Sequence, residues 1–244
     1  MFAMSRKMRW GLLILAAAAT AVVLVALGLY WAVGYEPAYY RDALIGDPAA
    51  QEQASDRMLQ KTTSLVSAVQ RQGHWQSRFT AEQINGWLAV DRVRNHPNSL
   101  PSTMHDPRVT IDAHGVTIAC RYRQGAIDSV LSVTVEPYLH EPNVVALRIV
   151  KARAGLLPAP LGPVIDRLSD AAEQLHFDLQ WRRDGADPVA LVSLPEHGRR
   201  VPRIENIRLG QGELFVAGTT TSKKRAEGQG MGGEKPQVEN KKQK

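Results

Sequence analysis

The order of apolar and polar positions divides the chain into an unbroken apolar run, stretches of helical period, stretches of strand period, and an end with no period. Residues 10–35 are the apolar run, WGLLILAAAATAVVLVALGLYWAVGY, with no charged side chain between Arg9 and Glu36. At ~1.5 Å per residue these 26 residues reach ~39 Å as a helix, enough to cross a ~30 Å hydrocarbon core with some tilt. A cleaved leader has a shorter apolar region followed by a small-x-small site. Here the run is longer and continues as GLYWAVGYEPAYY, so the pattern predicts an uncleaved anchor.

A linker at 36–46 follows the anchor. Asp47-Pro48 then reads as a helix start, an acid at the N-cap and proline at the first helical position. From there to Arg71, the positions Ala54, Met58, Leu65, Val66 and Val69 recur at three- and four-residue spacing, which predicts an amphipathic helix. Residues 74–79 read as extended. Thr80 with Gln83 three positions later is a capping-box pattern opening a short helix to Val90, with Ile84, Trp87 and Leu88 on one face. The polar stretch 91–106 reads as a loop.

The period then changes to two. Residues 108–113 and 116–122 with the turn His114-Gly115 predict a hairpin, and 126–135 and 143–154 predict two further strands. In the first of these, Ile127, Leu131, Val133 and Val135 share one face, with Asp128, Ser132 and Thr134 on the other. Proline punctuates 155–163, and 164–175 is again helical, with Val164, Ile165, Leu168, Ala171, Ala172 and Leu175 as its stripe. Strands return at 177–182, 189–194, 203–209 and 213–217. The expected architecture is α+β: an anchor helix, then a curved antiparallel sheet packed on amphipathic helices. Residues 1–9 are a basic stub, 10–35 the anchor, 47–221 one folded domain, and 222–244 a basic tail without apolar period, expected to be disordered.

Charge adds orientation and removes one class of partner. Arg6, Lys7 and Arg9 precede the apolar run, so the N-terminus is expected in the cytoplasm and the domain outside it. The net charge of +6 comes from the two ends, because residues 11–221 hold 20 basic and 21 acidic side chains. The basic balance is therefore no argument for a nucleic-acid-binding face. Anionic envelope polymers or lipid headgroups are the partners that the tail suits.

Chemistry-bearing motifs are sparse. There is no Gly-x-Ser-x-Gly elbow, no glycine-rich phosphate loop and no His-Glu-x-x-His. The one cysteine, Cys120, alternates with Val116, Ile118 and Tyr122 and reads as a buried thiol. His96, His105 and Asp106 share a loop, and Glu136, Tyr138, His140 and Glu141 crowd one turn. Solvation of polar turns accounts for both groups, and the sequence calls for no catalytic residue, metal or cofactor. Ile84, Trp87 and Leu88 leave two readings open, a filled core or the wall of an apolar groove. In the groove reading they join Val164, Ile165 and Leu168 over the strand face of Leu131 and Val133.

The segment FTAEQINGWL (79–88), the apolar bend LLPAPLGPVIDRL (156–168) and the closing IRLGQGELFVAG (207–218) resemble the YpmS-like family of bacterial membrane-anchored proteins. The architecture is also similar to tubular lipid-binding domains, in which a long curved sheet wraps a helix over an apolar tunnel. The resemblance implies a non-catalytic, membrane-anchored extracytoplasmic domain that binds lipid or another apolar ligand. An envelope scaffold or assembly factor acting through other envelope proteins is the alternative.

The tail carries a direct expectation. Deleting 222–244 removes no side chain from an apolar stripe, and exposed changes away from packed sites cost under ~0.5 kcal/mol. The melting temperature of the truncated chain should match that of the parent. A drop of many degrees would show that the tail packs.

Overall fold

The structure is a computed structural model that describes residues 6–174, 178–185, 187–193 and 200–222. The tail, apart from Ser222, lies outside the described residues, as do Leu175 and Phe177 and the side chains of Val164, Leu168, Ala171 and Ala172. Three helices open the chain: α1 (Arg6–Val33), α2 (Ala38–Leu44) and α3 (Pro48–Val69). Strand β1 (Gly73–Thr80) leads into α4 (Ala81–Ala89), α5 (Asp91–Asn95) and a 3-10 turn at Pro97–Ser99. Then come β2 (Met104–Ile111), β3 (Val116–Gln124), β4 (Ile127–Glu141), β5 (Val144–Ala154) and the two-residue β6 (Leu157–Pro158). Helix α6 (Leu161–Gln174) precedes β7 (Asp178–Asp184), β8 (Asp187–Ser193), β9 (Arg200–Gly210) and β10 (Glu213–Ser222).

All strand pairings are antiparallel. One sheet runs β2-β3-β4-β5-β8-β7 with β6 beside β5, and a second runs β1-β10-β9. The large sheet is curled but not closed. The α+β expectation holds, and most elements fall within a few residues of their predicted bounds. The helix starts form by the chemistry read from the sequence. Asp47 accepts from the Ala50 amide at 3.3 Å with Pro48 in the first turn. Thr80 and Gln83 exchange both capping-box bonds at 3.2 Å.

Three expectations are corrected. The segment 36–46 is not merely a connector: it holds α2, whose Tyr40 is fully buried against Ala119 and Val130, with Leu44 beside it. Tyr40 and Leu44 lie one turn apart, and a seven-residue helix is too short to show a period in the sequence. The stretch 91–106 is likewise not all loop, since α5, the 3-10 turn and the start of β2 occupy much of it. The strand face of β4 is divided differently from its pattern. Val130 and Ser132 are buried, Leu131, Val133 and Val135 are half-buried, and Ile127 is 53% exposed. Helix α2 covers the face that reads as polar, and Ala119 and Ser132, opposite one another there, are small enough to admit it.

Helices α3 and α4 pack at very close range through small residues. A Cβ on Gly86 would lie 2.7 Å from the Ala54 Cβ and 2.8 Å from both the Gln51 carbonyl oxygen and the Ser55 nitrogen. Ala54 and Ser55 are almost fully buried at this crossing. Elsewhere in a helix Gly→Ala gains about 1 kcal/mol from propensity. Here one Cβ and two backbone atoms, none of which can swing aside, lie within 3 Å, and overpacking costs about 1–3 kcal/mol. Gly86→Ala should therefore lower the melting temperature. A variant more stable than the parent would show that the two helices do not approach this closely.

Candidate apolar site

The structure disperses the groove residues expected from the sequence. Helix α4, with Ile84, Trp87 and Leu88, packs against α3 and along β2. Helix α6, with Val164, Ile165 and Leu168, packs against β7, where the Trp181 indole N–H donates to the Ser169 hydroxyl at 2.8 Å. Strands β2 and β7 are the two edges of the large sheet. Five strand spacings of ~4.8 Å separate them, ~24 Å along the sheet. Each helix thus covers its own edge, and β3, β4, β5 and β8 separate them. Trp87 is half-buried with its ring 6.2 Å from that of His96, so it meets the segment after α5.

The FTAEQINGWL segment has a joining role that its apolar residues do not reveal. Asn85 donates to the Val109 carbonyl at 2.8 Å and accepts from the Val109 N–H at 2.7 Å. Its amide thereby supplies the two bonds that a further strand would give the β2 edge. Gly86 makes the close crossing with α3, and Thr80 and Gln83 cap the helix. Asn143 repeats the device on the small sheet. Held at φ 66° in the β4–β5 turn, it donates to the Pro202 carbonyl at 2.7 Å and accepts from the Ile204 N–H at 2.9 Å. Asn tolerates that left-handed conformation better than most residues. The sequence signal for both is a lone Asn next to a turn or helix start, too common to single out.

What α4 and α6 leave between them is the candidate site. Register places Val109, Ile118, Val133 and Ala152 side by side on one face of β2 to β5. Along β4 this face continues through Val135 and Pro137, and across β5 and β8 it reaches Trp181. Val109 and Ala152 are buried at its margins, while Ile118 is 46% exposed and Leu131 and Val133 are half-buried. The middle of an otherwise covered apolar face is therefore partly open.

A second apolar opening lies where α1 meets the sheet. The last carbonyls of a helix have no partner within it. Here the Ser129 hydroxyl donates to the Val33 carbonyl at 2.7 Å and the Leu156 N–H to that of Ala32 at 2.9 Å. The approach is so tight that a Cβ on Gly155, at φ +58°, would sit 2.3 Å from the Ala32 oxygen. Beside the junction is a cleft of about 520 Å³ between Leu29, Trp31 and Val33 on α1 and Ala126, Ile127 and Asp128 on the β3–β4 hairpin. Its volume is in the range of ligand sites, about 300–1,000 Å³.

The polar side of the sheet is held together by its own side chains. Arg108 is buried and donates to the Ala43 carbonyl at 3.0 Å and the Pro107 carbonyl at 2.8 Å, tying α2 to β2. Burial lowers its pKa from the usual guanidinium value. Arg121 pairs with Glu36 just after the anchor. Burial pushes the Cys120 thiol up to about 11, so it is a poor nucleophile near neutral pH. Among the described residues no three His, Cys, Asp or Glu side chains come together as metal ligands do. His96 lies within ion-pair reach of Asp91 instead, at 4.0 Å.

The buried Tyr40 supplies a pH test of this packing. Its hydroxyl donates to the Asp106 carbonyl at 2.8 Å, and burial, reinforced by the Asp106 carboxylate, raises its pKa from 10.0 to about 12. The neutral phenol is the folded form, so its contribution is complete below pH 10 and is lost as pH rises towards 12. Alkaline titration followed by circular dichroism should show stability falling in that window, and Tyr40→Phe should flatten the fall. An unchanged profile in the variant would mean that Tyr40 is not buried under α2.

Compared with protein-family models, with curated proteins and with solved structures, the chain matches none.

Proposed function

We propose that the chain is a single-pass membrane protein of the YpmS-like kind, N-terminus in the cytoplasm, whose extracytoplasmic α+β domain binds a lipid without catalysis. The half-open apolar face around Ile118, Leu131 and Val133 carries this reading. A sheet face normally disappears beneath its covering helices. This one is covered at its edges and partly open in its middle, which suits an extended acyl chain laid along β3 and β4. The anchor supports the same reading. Helix α1 is 28 residues long, its side chains from Ala17 to Trp31 face outward, and Val22 is 68% exposed, as expected of a helix made to lie in lipid. The polymer-binding or headgroup-binding tail and protein partners in the envelope belong to the scaffold alternative, which needs no open apolar face.

The test is mass spectrometry of lipids extracted from the purified full-length chain, beside a reporter fused after Lys244. Bound lipid and an extracytoplasmic reporter are the expected results. Ile118→Glu puts a charge on the open face at a position already 46% exposed. It should lower the amount of lipid held per chain, leaving only what α1 retains, while the melting temperature stays near that of the parent. A variant that holds as much lipid per chain as the parent defeats lipid binding on this face. Cytoplasmic reporter activity defeats the orientation.

A further inference from the structure

The loops beside the end of α1 differ in character from those at the far end of the strands. The β3–β4 turn, residues 124–127, reads Gln-Gly-Ala-Ile, and 154–165 reads AGLLPAPLGPVI; neither holds a charge. The β2–β3 turn instead carries Asp112 and His114, and the β4–β5 turn carries Glu141. Beside the anchor, Ile127 is 53% and Leu156 48% exposed. The charge nearest the tip, Asp128, stands at the cleft wall and is paired with Arg123 at 3.1 Å.

Position follows from the helix. Counting 20 residues of ~1.5 Å from Trp10 gives ~30 Å and brings the hydrocarbon boundary to Tyr30. The cleft wall on α1 begins at Leu29, so the hairpin tip runs back alongside the anchor to that depth. The junction holds it there, because Ser129 and Leu156 bond directly to the last carbonyls of α1. Tyr30 and Trp31, 70% and 72% exposed, stand at the same level, where aromatic side chains sit at a membrane interface.

We infer that the β3–β4 hairpin tip and Leu156 are a second membrane contact: they dip into the outer leaflet of the bilayer that α1 crosses, and a phospholipid of that leaflet fills the cleft between Trp31 and Ile127. This rests on the membrane-spanning reading of α1. The charge-free tip, the exposed Ile127 and Leu156, and the depth set by Leu29 all favour lipid over a protein partner as the occupant.

The experiment uses the full chain in phosphatidylcholine vesicles, with a fluorescent probe on single cysteines introduced as Val22→Cys, Ile127→Cys, Leu156→Cys and Val66→Cys. The exposure of all four positions leaves the fold undisturbed, and Cys120, which is only half-buried, is replaced in each as Cys120→Ser so that the probe sits at one site. Quenching lipids carry a spin label either near the headgroup or at the chain end. The probes at 127 and 156 should lose most of their fluorescence to the shallow quencher, and the probe at 66 should lose none. If the probe at 22 is quenched by the deep label while those at 127 and 156 behave like the one at 66, the inference fails and the anchor stands. If the probe at 22 is unquenched, the spanning reading itself fails, and the second contact with it.

Discussion

An open sheet must satisfy the backbone groups along its edges, and the rest of this fold depends on how that is done. The large sheet ends on β2 and β7, and the small one on β1 and β9. A free edge is a row of unpaired donors and acceptors, expensive to bury and hazardous to expose. Asn85 pairs with one residue of the β2 edge and thereby seats α4, and α4 in turn holds α3 through the Gly86 crossing. Asn143 pairs with the β9 edge at Pro202 and ties the β4–β5 turn of one sheet to the other. Arg182, Arg183 and Asp184 leave β7 charged and exposed, which discourages pairing with another chain. Two amide side chains thus do the joining that barrel closure does elsewhere, and they leave the sheet open.

The second constraint is that both faces of the sheet are used. The polar-reading face is closed by α2 with Tyr40, and Arg108 and Arg121 fasten that helix and its approach through carbonyls and a carboxylate. The apolar face is left to α4 and α6 at its margins. A helix that follows the anchor so closely has no freedom to sit elsewhere. Its burial on the face rich in Ser, Thr and Arg is the reason that the other face stays partly open.

Much of this fold was legible. Local signals with a defined geometry carried over directly: the Asp47-Pro48 start, the Thr80–Gln83 box, the turn at Gly115 and the strand periods. What was not legible depended on contacts between distant residues. Tyr40 meets Ala119 and Val130 some 80 to 90 positions away, so nothing around α2 marks it as core. The candidate site shows the same limit. The apolar stripes of α4 and α6 were visible, but a stripe does not say which strand it meets, and strand order placed the two helices on opposite edges. Ile118, 46% exposed on the resulting face, reads in the sequence as an ordinary inward position of a hairpin.

The bonding of α1 to Ser129 and Leu156 makes the anchor and the sheet one mechanical body. A helix longer than the local hydrocarbon thickness relieves the mismatch by tilting. A flexible linker would absorb that tilt, whereas this junction passes it on. Strand β4 is 15 residues long, ~50 Å at ~3.4 Å per residue. A change of about 10° in the tilt of α1 would swing its far end by roughly 9 Å over that length. On the membrane-spanning reading proposed above, the height of the Glu141–Asn143 turn over the bilayer is therefore geared to bilayer thickness, as the tip of a lever is to its fulcrum.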